Sequence, residues 1–196
     1  MPQLSQKRVA IVTDSTAYIP TDLVEAYDIH VVPLHLMMGE NSWLDGVEID
    51  PPTFYELLRT SPDFPTTSQP NVTTFQDLFV KLSSTACGIV AILISSELSG
   101  TVDSALGAAA NLPDIAIEVI DSRASAMMLG FPVIEAAKVA AAGGDIQAVA
   151  DRARTVAEKS HIYFVVDTLE YLHRGGRIGG AAKLLGSALN LSLIHI

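Results

Sequence analysis

Hydrophobic residues along this chain fall into short runs that alternate with longer stretches of helical pattern. Five runs rich in valine and isoleucine predict strands at residues 9–12, 31–37, 89–94, 115–120 and 162–166. Three of these runs lack the alternation of apolar and polar positions that marks a strand with one face in water. Continuous apolar strands are typical of parallel sheets that are covered on both faces.

Helical patterns follow these strands at residues 21–27, 51–59, 72–82, 101–110, 125–142 and 145–160. Asp50 is a residue type that caps helices, and Pro51 follows it near the first helical position. Gly143 and Gly144 separate the last two helices, and Asp145 can cap the second of them. This alternation predicts an α/β fold, with a Rossmann-like, mostly parallel sheet that carries helices on both faces.

The predicted domain boundary lies near residue 160, after the long helices. We expect one α/β domain at residues 1–158 and the start of a second, incomplete α/β domain at residues 159–190. Residues 191–196 resemble the translation of a sequencing-library adapter, so they are left out of the fold prediction. The alternative for this segment is a natural apolar tail.

The composition is unusually apolar, with 49% hydrophobic and 17% charged residues and a mean hydropathy of +0.35. Glu135 and Lys138 interrupt the longest apolar stretch, so no segment reaches the ~18–20 apolar residues that a membrane span needs. The first apolar run is too short for a signal peptide. We therefore expect a cytoplasmic protein without stable membrane insertion, and the net charge of −10 disfavours a nucleic-acid partner.

Hydroxyl-bearing residues follow four of the predicted strands. These strand ends are Thr13-Asp14-Ser15-Thr16, the segment 95–101, Asp121-Ser122 and Asp167-Thr168. In open α/β sheets, ligands bind beyond the carboxyl ends of the strands. The sequence therefore predicts a shared polar rim above an apolar core.

Five polar motifs occur in an order that resembles the DegV family. They are Thr13-Asp14-Ser15, Pro65-Thr66-Thr67-Ser68-Gln69-Pro70, Ser95-Ser96-x-x-Ser99-Gly100-Thr101, Asp121-Ser122 and Tyr171-Leu172-x-Arg174-Gly175-Gly176-Arg177-Ile178. The resemblance covers residues 8–190. It implies a protein that binds a long-chain fatty acid in a buried slot, uses no cofactor, catalyses no reaction itself and presents the acid to a fatty acid kinase. It also implies that Thr67 and Ser99 hold the head of the acid, and that a missing C-terminal part completes one wall of the slot.

The residues of two motifs could clamp a carboxylate on chemical grounds. Thr67 and Ser68 lie in a predicted loop that Pro70 holds open, because proline restricts the preceding residue to extended geometry. Ser99, Gly100 and Thr101 stand where the helix after the third strand begins. A glycine lets a ligand approach the backbone, and free amides at a helix start favour an anion. The alternative for each serine or threonine is a helix cap or turn residue, and Ser99 could serve both purposes.

The hydrocarbon tail would supply most of the affinity. Burial of one methylene is worth ~0.8 kcal/mol, so a C16 tail offers roughly 12 kcal/mol before ordering costs. A hydrogen bond to a charged group adds only ~1.5–3 kcal/mol. Candidates for the tail lining are Met127, Met128, Leu129, Phe131 and residues 162–165, with ordinary core packing as the alternative for each.

Other polar residues keep two interpretations each. Arg174 and Arg177 either contact an anion, at the ligand head or on the kinase's nucleotide, or form a solvated turn with salt bridges. Asp14 and Asp121 end strands, and a structural role as acceptors for loop amides is favoured over an acid–base pair. The single cysteine, Cys87, is expected to be a small buried residue. The five histidines show no metal-ligand spacing.

Two further functions compete with the fatty acid carrier. A serine hydrolase or acyltransferase would use Ser99 as nucleophile, but the chain has no Gly-x-Ser-x-Gly elbow and no histidine tied to an acid by a motif. A nucleotide-binding regulator is the third candidate. The glycine-rich segment 175–180 lacks the Gly-Lys-Ser/Thr of a P-loop, and no Gly-x-Gly-x-x-Gly follows the first strand.

Overall fold

The structure is a computed structural model that describes residues 7–163 and 169–178. Within these ranges, strands β1 to β7 span Val9–Asp14, Ile29–Val32, His35–Met38, Asn41–Leu44, Thr66–Ser68, Gly88–Leu93 and Ile117–Asp121. Helices α1 to α7 span Thr21–Ala26, Pro51–Thr60, Val72–Ser83, Thr101–Ala110, Ala126–Ala141, Ile146–Lys159 and Glu170–Arg174, and a short 3₁₀ helix covers Ser15–Ala17. The chain divides into two compact units, Met1–Lys159 and Ser160–Ile196.

The main sheet of the first unit has four parallel strands in the order β2-β1-β6-β7. Strand β6 lies inside the sheet and every one of its residues is buried. Its side chains alternate between two separate apolar clusters, because successive residues of a strand point to opposite faces. The predicted α/β class, with a mostly parallel sheet and helices on both faces, is confirmed.

Helices α3 and α4 cover one face of this sheet, and helices α5 and α6 cover the other. Phe75 and Phe79 of α3 fill the first cluster against Ala91 and Leu93 of β6. The second cluster joins Val90, Ile92 and Ile94 to residues of α5 and α6 that are mostly alanine, leucine and valine. The small alanines allow these helices to lie close to the sheet.

The prediction of one strand at residues 31–37 is wrong, because the chain leaves the main sheet within this segment. Strand β2 ends at Val32, and β3 belongs to a second, antiparallel sheet of order β4-β3-β5. Pro33 has no amide hydrogen for a ladder bond. The next amide, that of Leu34, donates to Ser15 Oγ at 3.1 Å, and the Leu34 carbonyl accepts from the Asp45 amide at 2.9 Å. These contacts place the second sheet beyond the carboxyl end of β1.

Other expectations are corrected or lie outside the described ranges. Cys87 is exposed, not buried, since it lies in the turn that leads into β6 at the amino end of the sheet. In the predicted strand 162–166, residues 162 and 163 have no regular structure and the rest lie outside the described residues. Most of the predicted second domain and the tail 191–196 also lie outside them, so both stay predictions. Among the helices of residues 7–163 and 169–178, none has the length and apolar character needed to cross a bilayer.

We expect Phe79→Ala to destabilise the first unit by about 3–5 kcal/mol, because the ring is fully buried and its removal leaves a cavity under the sheet. Phe131→Ala is the matched control, since Phe131 is 54% exposed and the same atoms are removed. The control should change the free energy of unfolding by less than about 0.5 kcal/mol. Urea denaturation followed by circular dichroism measures both, and equal losses would contradict the assignment of the core.

Candidate functional site

A cavity of about 160 Å³ lies in the first unit, beyond the carboxyl end of the main sheet. The 3₁₀ helix, the second sheet, helix α2 and the loop after β6 all contribute to its wall. Its hydroxyl-bearing residues include Thr16, Thr67 and Ser99, and its apolar residues include Leu34, Leu36, Ile49, Phe54 and Ile94. The cavity thus combines an apolar wall with a cluster of hydroxyl groups.

Thr67 reaches the cavity from strand β5, where it lies opposite Leu36 of β3 in an antiparallel pair. The prediction of a loop at Thr67 and Ser68 is therefore wrong, because the second sheet recruits this segment as a strand. Successive side chains of a strand point to opposite faces. Thr67 accordingly lines the cavity, whereas Ser68, paired with His35, does not.

Ser99 lies in the loop between β6 and α4, which backbone hydrogen bonds hold in shape. The Ser99 amide donates to the Ser95 carbonyl at 3.1 Å, and the Ser95 amide donates to the Ala124 carbonyl at 2.9 Å. The Ser99 hydroxyl lies 2.8 Å from the hydroxyl of Thr101, which is itself buried. Ser99 is therefore the residue of this motif that combines a hydroxyl group with a place in the cavity wall.

Helix α4 has Gly100 at its N-cap, and no side chain accepts a hydrogen bond there. Of the two purposes open to Ser99, capping of this helix is therefore absent, and the Ser99 hydroxyl lies next to that of Thr101 instead. The space next to Gly100 is also taken, since a Cβ built on this residue would lie 2.8 Å from Gln69 Nε2. Gln69, the residue after β5, therefore lies beside the loop of Ser99, and the two predicted motifs meet at this point.

Asp14 supports the site from behind and has the structural role that the sequence favours. Its carboxylate accepts from the Thr16 amide at 3.0 Å, the Thr16 hydroxyl at 2.6 Å and the Ile94 amide at 2.7 Å. Burial raises the pKa of Asp14 above its usual range, these hydrogen bonds oppose the rise, and the nearby carboxylate of Asp45 adds to it. The side chain therefore joins the ends of β1 and β6 to the 3₁₀ helix.

Asp121 has a corresponding role one strand further along the sheet. Its carboxylate accepts from the Ser96 hydroxyl at 2.6 Å, the Ser96 amide at 3.2 Å and the Arg123 amide at 2.9 Å. These bonds join the end of β7 to the loop after β6. Thr16, which sequence analysis noted only within a motif, is a further hydroxyl-bearing residue that reaches the cavity.

Sequence reasoning missed most of the apolar wall. Met127, Met128, Leu129 and Phe131 do not line this cavity. Leu129 instead packs in the core beneath the sheet, and Phe131 is exposed. The apolar wall comes mainly from residues 34–55, whose short strands and weak alternation carry no signal that distinguishes a ligand cavity from an ordinary core.

Tyr18 lines both this cavity and a neighbouring one of about 430 Å³, as Asp45, Asp50 and Pro51 also do. Its backbone is left-handed, with φ of 49°, which is unusual for a bulky residue. Burial raises the pKa of the Tyr18 hydroxyl, and Asp45 and Tyr55 add to the rise. Helix α5 lies close to the residue before Tyr18, since a Cβ built on Gly130 would lie 2.9 Å from the carbonyl oxygen of Ala17.

Arg174 belongs to the second unit, where helix α7 holds it. Its Nη1 lies 3.4 Å from Glu170 Oε1, and Arg177 Nη1 donates to the Gly175 carbonyl at 2.6 Å. Both arginines are exposed. Of the two interpretations, these contacts match a solvated turn, and a contact between Arg174 and a ligand stays a prediction.

Comparison with known proteins identifies a related family. The family model described as "Uncharacterised protein, DegV family" matches residues 8–195. A DegV domain-containing protein of Clostridium perfringens is 42% identical over 193 residues, which are 95% of this chain and 67% of that protein. A DegV domain-containing protein of Streptomyces coelicolor is 44% identical over 188 residues, which are 93% of this chain and 65% of that protein.

Solved structures show the same fold. A DegV family protein from Thermus thermophilus, whose structure is described as showing fatty acid binding, is 36% identical with a TM-score of 0.85, covering 94% of this chain and 65% of that one. The Bacillus subtilis protein DegV, described as a fatty acid binding protein, is 33% identical with a TM-score of 0.87. The match covers 96% of this chain and 67% of that one. This chain thus spans about two thirds of the length of its relatives.

We expect Gly130→Ala to destabilise the first unit by about 1–3 kcal/mol, because the added methyl meets the backbone oxygen of Ala17 and must push the 3₁₀ helix away. Gly107→Ala in α4 is the matched control. A Cβ built on Gly107 would lie 3.4 Å from its nearest neighbour, Val72 Cγ2, which is an ordinary van der Waals contact. The control should stabilise by about 0.5–1 kcal/mol, the gain of alanine over glycine inside a helix. Thermal and urea unfolding measure the change in the free energy of unfolding for each variant. Changes of the same sign in the two variants would contradict the close packing of Gly130 against Ala17.

Proposed function

This chain belongs to the DegV family, and from that premise we propose that it binds a long-chain fatty acid with the carboxyl head between Thr67 and Ser99. The observation that carries the proposal is that these two hydroxyl-bearing residues, far apart in sequence, line one cavity. Hydroxyl groups can donate to a carboxyl group and fix its orientation. The apolar wall beside them accepts the carbon chain.

The dimensions of the cavity fit the head and the first carbons of such a ligand. Its volume of about 160 Å³ is below the ~300–1,000 Å³ of typical ligand pockets. A long acyl chain therefore needs apolar surface beyond this cavity. Each methylene buried contributes ~0.8 kcal/mol, so the affinity for long acids depends on that additional surface.

Relatives support a fatty acid as the ligand. The proteins from Thermus thermophilus and Bacillus subtilis are described as binding fatty acids, and a protein from Eubacterium ventriosum, 27% identical with a TM-score of 0.78, is described as a stearic acid-binding protein. The stearic acid named for this relative is a long-chain acid, as the family resemblance implies for the ligand of this chain.

The finer parts of the proposal concern the partner and the other site residues. The chain would present its bound acid to a fatty acid kinase in the cytoplasm, as a non-catalytic subunit without a cofactor of its own. Ser68, Gly100 and Thr101 would support the head site from behind Thr67 and Ser99, and Arg174 would add an anion contact. Thr101 would do so through its hydroxyl, which lies 2.8 Å from the Ser99 hydroxyl.

The geometry gives little support to a serine hydrolase or acyltransferase. A nucleophilic serine needs a base within hydrogen-bond reach. Among the described residues, the Ser99 hydroxyl has the hydroxyl of Thr101 as its partner, and no histidine lines the cavity. Labelling of Ser99 by a fluorophosphonate probe, with turnover of an ester, would contradict the non-catalytic assignment.

We expect Thr67→Val and Ser99→Ala each to weaken palmitate binding by about 1.5–3 kcal/mol, or roughly 10- to 150-fold, because each removes one hydrogen bond to the head. Thr73→Val and Ser84→Ala are matched controls at exposed positions outside the cavity. Titration calorimetry with the purified chain measures the affinities, and native mass spectrometry detects acyl chains that copurify. Unchanged affinity in both site variants would contradict the proposed head site.

A further inference from the structure

A separate cavity lies in the first unit at the amino end of the main sheet, away from the carboxyl end that carries the proposed head site. Its volume of about 380 Å³ falls within the ~300–1,000 Å³ of typical ligand pockets. We call it the basal cavity and define it by Lys7, Arg8, Tyr27, Asp28 and His30, together with alanines of α1 and α5. Its size suits a small organic ligand.

The offset between the first two strands produces this cavity. Strand β1 begins at Val9, whereas β2 begins at Ile29, which pairs with Ile11. Within the described ranges, no residue of β2 pairs with Val9 or Ala10, and both of these residues line the cavity. The alanines of α1 and α5 leave the resulting gap open, where larger side chains would close it.

Two adjacent cations reach the basal cavity from the chain before β1, and a histidine reaches it from β2. The Arg8 carbonyl accepts from the Cys87 amide at 3.1 Å, which fixes the backbone beside the start of β6. His30 lies within β2, paired with Val12 of β1. Arginine binds phosphate oxygens through two parallel N–H donors, and a lysine such as Lys7 adds a point charge. The wall thus carries the donors that phosphate-binding sites use.

The overall charge of the chain makes this cluster of cations informative. Acidic residues outnumber lysine and arginine by 22 to 12, so the chain as a whole repels anions. At an ionic strength of 0.15 M, charges more than about 8 Å away are largely screened. An anion in the basal cavity therefore responds mainly to the charges of its wall, where Lys7 and Arg8 outweigh Asp28.

A different role for these cations would be to stabilise the carboxyl ends of α1, α3 and α5, which all contribute to the wall. Helix C-termini carry partial negative charge and favour cations. Here the turns after two of the helices supply donors of their own. The Leu82 carbonyl accepts from the Thr85 and Ala86 amides at 3.0 and 2.8 Å, and the Ala140 carbonyl accepts from the Gly143 amide at 3.0 Å. These bonds reduce the need for cations at the helix ends.

We propose that the basal cavity binds a phosphate monoester with a hydroxyl-bearing body, the chemistry of a sugar phosphate. Lys7 and Arg8 hold the phosphate, which carries a charge of about −1.5 to −2 at pH 7. Asp28 accepts a hydrogen bond from a hydroxyl group of the ligand, and the alanines make room for its carbon skeleton. The inference does not rest on the proposed function, because the described residues that line the two cavities are all different.

NMR titration of the isotope-labelled chain tests this proposal with inorganic phosphate, ribose 5-phosphate and ribose. The ionic strength is held constant with sodium chloride, because contacts of exposed cations weaken with salt. We expect both phosphates to saturate and to shift the amides of Val9, Ala10 and residues 28–30. Ribose 5-phosphate should bind more tightly than inorganic phosphate and at least about tenfold more tightly than ribose. Failure of both phosphates to saturate, or shifts confined to other residues, would overturn the proposal.

Arg8→Gln and Lys7→Gln should each weaken the binding of ribose 5-phosphate by about five- to tenfold, because each removes a charge-assisted hydrogen bond. Both side chains are exposed and lie outside the head site, so the circular dichroism spectrum and the affinity for palmitate should stay unchanged. Lys159→Gln is the matched control, since it removes the same charge from an exposed position at the end of α6. It should change the affinity by less than about twofold.

A further variant distinguishes the cavity from the charged surface around it. Ala141, the last residue of α5, is exposed and lines the cavity, so Ala141→Leu fills part of the space without disturbing the core. We expect this variant to weaken ribose 5-phosphate by at least about fivefold while all cations remain. Unchanged affinity in Ala141→Leu, or equal weakening by Lys159→Gln and Arg8→Gln, would indicate non-specific attraction and overturn the proposed site.

Discussion

A buried carboxylate, that of Asp14, organises the functional end of this molecule. It lies at the carboxyl end of β1, where the apolar surroundings oppose its charge, and three donors from the 3₁₀ helix and the end of β6 compensate it. A charge in such a place is tolerated only when it is fully hydrogen-bonded. The loops that carry Thr16 and Ser99 are therefore fixed relative to one another by a single side chain.

The second requirement is that the chain leaves the main sheet after β2. Pro33 ends the ladder, the Leu34 amide donates to Ser15 Oγ, and the Leu34 carbonyl accepts from the Asp45 amide. The small antiparallel sheet that results stands over the carboxyl edge of the parallel one and brings Thr67 opposite Leu36. The cavity is thus a product of two sheets meeting, and neither sheet would form it alone.

Much of the scaffold was predictable from the sequence, and much of the site wall was not. The parallel sheet follows from runs such as residues 89–94, whose burial on both faces leaves a continuous apolar signature. Capping residues such as Asp50 predict where helices begin, and in the structure Asp50 does cap the start of α2. Strands β4 and β5 are short, and their pairing depends on tertiary partners, so local pattern could not reveal them. Thr67 and Ser99 were found through motif resemblance, whereas Asp45 and Tyr18 became visible only through tertiary contacts.

The path of the chain between β2 and α3 has an implication for how proteins of this family diversify. Most of the cavity wall, from Leu34 to Thr67, belongs to this one uninterrupted excursion, and the parallel sheet contributes only its rim. Exchange of that excursion between homologues would replace most of the cavity wall, Thr67 included, and leave Ser99 and the two apolar clusters of the sheet untouched. Ligand preference and scaffold stability could then evolve on separate parts of the polypeptide.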